Sequence, residues 1–371
     1  MKIGILTFHS QLNYGGVLQC WALQTALEKM GHEVVVIDRE FEHQIRSVAA
    51  IFKGWTWKRF IKFAVKLMLR RPDALRTVRY IRTVRFVQKN LHLTEYSFKK
   101  WENAPSDLGV DLIVVGSDQV WNGIWQDPGV YLLEDAPAIP AIGYAISLGM
   151  TSLPSDSMER YITAAKRFSS ISVRETEAKT LLKPAGIDAV HVADPTLLMP
   201  CPKAAADANG GLVCYFIDIG LIEQSNIDLL DGFGRKFGIP VQIFSQKLPY
   251  GTFDSKGIRI RYSAGPEQFY KTISSAKYII SDSFHALMFA CIFGKPICLV
   301  DPGASQRRHM FSRIREFSDN YVKGQCIFRN LDEALENIAV GLTLEYDYAG
   351  IDMLKKNSIA WLVQSIECAR K

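Results

Sequence analysis

Cysteine is present without pattern. The seven residues (Cys20, Cys201, Cys214, Cys291, Cys298, Cys326 and Cys368) are odd in number, hold no C-x-x-C pair and mostly sit inside apolar runs. That argues against a disulfide scaffold and against a thiolate metal clip, and a reduced, cytosolic setting is expected. Long hydrophobic runs are also missing: there is no uncharged stretch of about 18 apolar residues, the length a membrane-crossing helix needs. The opening "MKIGILTF" enters a strand directly, without the apolar core or small-residue cleavage site of a secretory leader. The first strand is followed by Gly15-Gly16 rather than by G-x-G-x-x-G, so the dinucleotide fingerprint is absent. No nucleophile elbow appears, and no His/Cys/Asp/Glu set shows metal-ligand spacing, so neither a Ser-His-Asp hydrolase nor a metal site is expected. Internal repeats and low-complexity tracts are absent as well.

What the chain does contain is strand and helix in alternation. Its 371 residues exceed one ordinary domain, and two domains with separate cores are expected. The order begins with strand "KIGILTF", turn "NYGG", a helix "VLQCWALQTALEKMG" and strand "VVVID", which is an α/β opening. "DLIVVGSD", "AIPAIGYAIS" and "SISVRE" are apolar runs ending in polar residues, as parallel strands buried on both faces should look. "MPCPKAAADANGG", residues 199–211, reads as an interdomain linker. After it come "GLVCYFID", "PVQIFSQ", "IRIRYS", "YIISD", "PICLV" and "QCIFR", with helices between. The expected layout is an N-terminal domain over 1–200, a C-terminal domain over 205–345, and a last helix, 352–371, packed back on the first domain. Open sheets of this kind bind ligands beyond the carboxyl ends of their strands.

Charge is uneven. Residues 51–90 hold twelve basic residues against one acid, Asp73, a net +11; the whole chain is +6, so the remainder carries −5. Trp57, Phe60, Ile61, Ala64, Val65 and Met68 follow helical spacing, with Arg59, Lys62, Lys66 and Arg70 on another face. After Pro72, Arg76, Arg79, Arg82 and Arg85 form a second basic ridge. This insertion is either a solvated helix pair or a docking surface for anionic lipid or a lipid-linked pyrophosphate. No reading motif accompanies the charge, and nucleic acid is not an expected partner.

Candidate chemistry gathers at strand ends. "YIISD" leads into "HALMFACIF", which Gly294 caps and Pro296 forbids from continuing. His285 therefore falls in the first turn of a helix that Asp282 or Ser283 can cap, next to free amides that favour anions. A histidine there is held neutral when the site is empty and gains a proton when an anion binds; the other reading is a histidine bonded to a carbonyl. Asp118 in "GSDQVWN" is a turn former or a functional acid, and Arg174 pairs with Glu175 or another acid or else faces a ligand.

"NYGGVLQCWALQ", "VVGSDQVWN", "SISVRE", "VADPTLL" and "SDSFHALMFACIFGKP", in that order over nearly the whole chain, resemble the polysaccharide pyruvyltransferase family. The resemblance implies two Rossmann-like domains facing across a cleft, as in GT-B glycosyltransferases. It implies transfer of pyruvate from phosphoenolpyruvate to a sugar as a ketal, with phosphoenolpyruvate as co-substrate and no further cofactor. The family's functional arginine falls on Arg174 and its histidine on His285. A further basic position is carried to "QRRHMFSRI", at Arg307, Arg308 or Arg313. Many members place arginine and leucine before the histidine, where this chain has Ser283 and Phe284, so another cation must replace that arginine or the donor differs.

On this reading His285 is the general acid or a phosphate ligand and Asp118 orients or deprotonates an acceptor hydroxyl. Arg174, Ser283 and the downstream arginines take the donor; Asn13, Tyr14 and Gln119 take the acceptor sugar of a surface polysaccharide or its lipid-linked precursor. A cytoplasmic enzyme peripheral on the inner membrane face follows. The rivals are a nucleotide-sugar glycosyltransferase of the same architecture and a non-catalytic saccharide-binding protein.

Overall fold

The computed structural model describes the chain apart from residues 11, 41–46, 125, 154–157, 200–209, 246–256, 302, 304–307 and 371. The segment read as a linker lies almost wholly outside the described residues. The apolar runs of the first half become β1 (Lys2–Leu6), β2 (Glu33–Arg39), β3 (Leu93–Phe98), β4 (Leu112–Val115), β5 (Ala141–Ile146), β6 (Ser170–Val173) and β7 (Val190–His191). They form one sheet in the order β3-β2-β1-β4-β5-β6-β7, with every neighbouring pair parallel. All four residues of β4, "LIVV", are buried, because a parallel sheet is covered on both faces. The helices are α1 (Tyr14–Lys29), then α2 (Val48–Phe52), α3 (Trp57–Met68) and α4 (Pro72–Asn90) between β2 and β3, then α5 (Met158–Ala165) and α6 (Thr176–Leu182).

The second half repeats the plan. In chain order come β8 (Leu212–Phe216), α7 (Gln224–Phe237), β9 (Val241–Ser245), β10 (Ile258–Ile260), α8 (Pro266–Ser274), β11 (Tyr278–Ser281), α9 (Phe284–Phe293) and β12 (Ile297–Val300). They are followed by α10 (Arg308–Tyr321), β13 (Val322–Lys323), β14 (Ile327–Phe328), α11 (Leu331–Ala339), β15 (Glu345–Tyr346) and α12 (Tyr348–Ala369). The sheet order is β10-β9-β8-β11-β12-β14, and β13 pairs with β15 apart from it. In each sheet the order reverses beside the first strand of its half, between β1 and β4 and between β8 and β11. Crevices at such switch points are where doubly wound sheets hold ligands.

Two features join the halves. Helix α9, "FHALMFACIF", is buried along all ten residues, as an all-round apolar helix must be; Gly294 ends it at φ +61°. One apolar core runs from Ile3, Tyr14 and Leu18 through Tyr215, Phe244, Phe269 and Phe289, so it crosses from one domain to the other. The Tyr14 ring stacks on Phe269 at 4.5 Å. The chain's last helix, α12, lies on the first domain: its Ser358 hydroxyl accepts from Ala193 N at 2.8 Å, and Trp361 lies beside Tyr144.

The basic insertion divides in two, which corrects the reading of it as one surface. Pro72 opens α4 rather than merely ending α3, since a first helical turn does not need its N–H. In α4, Arg79 is only 3% exposed. Its Nη1 donates to Ser245 O and its Nη2 to Leu12 O, both at 2.8 Å, and its guanidinium lies 4.6 Å from the Tyr14 ring centre. Arg82 Nη1 donates to Ser263 O at 2.9 Å. The ridge is thus in part a bracket between domains, a role that helical spacing alone does not distinguish from a wet face. Among the described residues no helix is long and apolar enough to cross a membrane.

Candidate active site

The carboxyl end of β11 builds the C-terminal half of the site. Ser281 donates its hydroxyl to Tyr215 O and accepts from Ser283 N at 3.1 Å, which fixes the turn into α9. Asp282 accepts from Ile217 N and Asp218 N, each at 2.7 Å, so it ties β8 to β11 instead of capping the helix. Ser283 takes the N-cap position, yet its side chain makes no cap bond. Its buried Oγ has no hydrogen-bond partner among the described residues. Among the described residues no side chain caps the helix mouth, and its amides and dipole favour an anion.

His285 stands in that first turn, 6% exposed. Its Nε2 has no hydrogen-bond partner among the described residues and lies 3.9 Å from Asp194 Oδ2. Burial lowers its pKa; Asp194 and Asp118 oppose that shift, and Arg174 and Arg313 add to it. The imidazole is pressed against the first turn of α1. A Cβ on Gly15 would come within 2.8 Å of His285 Cε1 and nearer still to Nδ1 and Cγ. That contact requires glycine. "NYGG" is thus not a turn after β1: Asn13 caps α1 by accepting from Gly15 N at 3.1 Å, and the glycines form the helix's opening turn.

The N-terminal half comes from the ends of β4, β5 and β6. Asp118 adopts φ +72°, a left-handed conformation that aspartate tolerates better than most residues. Its carbonyl accepts from Val120 N and Ser147 N, and its Oδ1 accepts from Gln119 N at 2.9 Å. Its other oxygen faces Gly16. Arg174 is buried and faces three acids. It donates to Asp194 Oδ2 at 2.8 Å and to Asp118 Oδ1 at 3.5 Å, and its Nε lies 3.7 Å from Glu175 Oε2. Burial would favour the neutral form, but these three carboxylates hold the Arg174 pKa above its usual value.

Asp194 is the hub. Oδ1 accepts from Thr196 N at 3.0 Å and Thr196 Oγ1 at 2.7 Å, as the cap of the short 3-10 turn Pro195–Leu198. Oδ2 meets Arg174, Ser117 Oγ and the imidazole of His285. Burial opposes its ionisation, but Arg174, His285 and Thr196 together hold the carboxyl below its usual pKa. Glu175 Oε1 accepts from Ser147 Oγ at 2.8 Å, Leu148 N at 3.0 Å and Gly149 N at 3.4 Å.

A second guanidinium closes the ring. Arg313, on α10, donates to Ser147 Oγ at 3.3 Å. With the Gln119 amide oxygen turned towards it, Gln119 accepts from Arg313 Nη1 and Nη2 at 2.6 and 2.8 Å. Its Nε has no hydrogen-bond partner among the described residues. Burial, then the charge of Arg174, pull its pKa down to about 10. Both guanidinium groups lie over the Phe284 ring, Arg174 at 4.7 Å and Arg313 at 5.5 Å from its centre. A pocket opens beside them, lined by Arg174, His191, Phe284, Arg313, Glu316 and Phe317 among others.

The structure thus brings His285, Asp118, Arg174, Ser283, Arg313 and Gln119 to one junction. Tyr14 must be corrected. Its hydroxyl donates to Ala264 O at 2.9 Å and its ring is fully buried in the interdomain core, so it braces the domains and has no free edge for a sugar. Asn13 serves as a helix cap. Arg307 lies outside the described residues, and Arg308 opens α10. Asp194 and Gly15 were not singled out from sequence, and Glu175 entered only as a partner for Arg174. An Asx cap followed by Pro at the first turn position, "DPT", is the signal that marks Asp194.

One solved structure agrees with this architecture. A UDP-GlcNAc 2-epimerase from Methanocaldococcus jannaschii is similar with a TM-score of 0.50 at 12% identity, over 94% of this chain and 95% of that one. The glycosyltransferase VinC in complex with dTDP gives 0.43 at 10% identity over 100% and 99%. The Streptomyces sp. SF2575 glycosyltransferase SsfS6 gives 0.40 at 12% identity over 99% of both chains. At these identities the first likeness shows the fold alone, a GT-B-like pair of parallel α/β sheets. No curated protein sequence matches the chain. The family model of polysaccharide pyruvyl transferase matches residues 13–303, from the cap of α1 past the end of β12. That span covers most of the chain and every residue of the buried set except Arg313, and the chain belongs to the polysaccharide pyruvyl transferase family.

Proposed function

We propose that the protein transfers pyruvate from phosphoenolpyruvate to two hydroxyls of one sugar, forming a ketal on a surface polysaccharide or its lipid-linked precursor. The observation that carries this reading is a set of buried polar atoms, Ser283 Oγ, His285 Nε2 and Arg313 Nε, that have no hydrogen-bond partner among the described residues, beside the mouth of α9, whose N-cap side chain makes no cap bond. Unsatisfied buried groups are costly, and a ligand that pairs with them removes that cost. Donors at a helix mouth make that ligand an anion.

The chemistry follows from the placement. His285 protonates the vinyl carbon, which becomes the ketal methyl. One acceptor hydroxyl adds to the cationic carbon, the C–O bond to phosphate breaks, and the second hydroxyl closes the ring. Of the two hydroxyl protons, one replaces that given up by His285 and the other leaves with phosphate. Asp118 orients the acceptor hydroxyl. Arg313 and the α9 amides hold the donor's anionic groups, in place of the arginine that Ser283 replaces. Arg174, surrounded by carboxylates, positions Asp194 and Asp118.

Charge decides one detail. Three carboxylates (Asp118, Glu175, Asp194) face two guanidinium groups, so with His285 neutral the set is net negative. An anion that enters must raise the His285 pKa, and the donor should bind with uptake of about one proton. Calorimetry in buffers of different ionisation enthalpy measures that uptake. The decisive assay is phosphate release from phosphoenolpyruvate against a panel of lipid-linked and free saccharides, with nucleotide sugars as the control arm. Release of a nucleoside diphosphate from the control, and none of phosphate, would establish a glycosyltransferase instead.

A further inference from the structure

Helix α3 turns its apolar side outward. Trp57 is 76% and Met68 81% exposed, and Ile61 and Val65 are exposed on the same side. None of its twelve residues is buried. The inner side is pinned by an aromatic cluster: Phe63 touches Phe52 and Trp55, and Phe60 stacks on Phe52 at 5.6 Å. Thr56 caps the helix, and Lys66 pairs with Asp73. The element is therefore amphipathic, with an apolar stripe that nothing among the described residues covers.

The charge beside that stripe has one sign. Lys58, Arg59, Lys62, Lys66, Arg70 and Arg71 follow one another with no acid between residues 48 and 72. An apolar stripe with an exposed tryptophan, flanked by lysine and arginine, is complementary to a bilayer surface that is apolar below anionic headgroups. A second copy of the chain is a poorer match, because two such faces would bring like charges together.

We propose that α2 and α3 form a docking element for an anionic lipid surface, with α3 lying in the plane of the membrane and Trp57, Ile61, Val65 and Met68 entering the headgroup boundary. The element is α3 with α2, not the whole basic insertion, because Arg79 and Arg82 of α4 are spent between the domains. The reaction proposed above supplies a purpose, delivery of the site to a lipid-linked sugar, but the docking does not depend on it.

The test uses the full chain with vesicles and neither donor nor sugar, so it stands or falls apart from the proposed reaction. The protein should sediment with vesicles of phosphatidylglycerol mixed with phosphatidylcholine, not with phosphatidylcholine alone, and less as salt rises. Ile61→Glu with Met68→Glu, and separately Lys58→Glu with Lys62→Glu, should each weaken binding on the order of tenfold or more. All four residues are exposed, so unchanged thermal unfolding is expected and certifies the fold. The proposal is overturned if the native chain ignores the anionic vesicles at low salt, or if either variant binds as well as native. It is also overturned if native protein is a dimer that the Ile61/Met68 variant converts to monomer, which would make the occupant a second copy.

Discussion

Gly15→Ala tests whether the two halves of the site meet where described. The new methyl would come 2.8 Å from His285 Cε1, with Nδ1 and Cγ closer. Neither side can easily retreat, because the imidazole sits on a fully buried helix and Gly15 is in the buried opening turn of α1. Overpacking of this kind costs about 1–3 kcal/mol. For a chain of this length that is about 1–4 °C in melting temperature if both domains unfold together. Turnover should fall further, by about 10²-fold, because an acid displaced by an ångström loses its alignment. The discriminating comparison is made in a His285→Ala background. With the ring gone the clash is gone, and Gly15→Ala should then be neutral or slightly stabilising, as alanine normally is in a helix. Thermal unfolding of the four proteins should reveal a coupling of about 1–3 kcal/mol. If the two single effects simply add, the contact between α1 and α9 is not as described and the reasoning fails.

Four further outcomes are expected. His285 has its folded pKa below the unfolded value of about 6.5, so the unfolded chain binds more protons below that pH and stability is lost as pH falls through it. Melting of the ligand-free protein at pH 5 and 7.5, native against His285→Gln, should show a smaller acid-side loss in the variant. Arg174→Lys keeps the charge but cannot span Asp194 and Asp118, and should cost about 1.5–3 kcal/mol; an unchanged melting temperature would refute the network. Arg79→Ala strands two carbonyls in the domain junction and should cost about 2–4 kcal/mol, read by thermal unfolding, with vesicle binding unaffected. Ser283→Ala removes a hydroxyl that has no hydrogen-bond partner among the described residues, so stability should hold within about 0.5 kcal/mol. Its donor KM should rise by about fivefold, since one hydrogen bond is worth roughly 1 kcal/mol.

The parts of the site that depend on local pattern were legible in the residues. "YIISD" into "HALMFACIF" had to be strand into buried helix, and a histidine there had to sit at the helix mouth, because period, length and the Gly-x-Pro stop agree. What depends on the far side of a contact was not legible. Tyr14 has the composition of a sugar ligand and the position of a strut, and only the presence of Ala264 and Phe269 across the domain junction separates the two. Arg79 and Arg59 look alike on a helical wheel; one is buried between domains and the other exposed. Asp194 stood inside a quoted motif, but its reach to Arg174, Ser117 and His285 arises from tertiary folding, since 91 residues separate it from the histidine.

One flank of the N-terminal sheet is covered by a helix that follows the whole second sheet in the chain. Ala193 N finds its acceptor on Ser358, and Tyr144 lies beside Trp361. At about 5–20 residues per second the ribosome leaves that face waiting on the order of ten to thirty seconds, while the whole second domain is made and begins to fold. During that interval the nascent chain presents an uncovered flank at Ala193 and Tyr144. A chain cut after Asp347 would keep every strand of its second sheet and be weakened in the first.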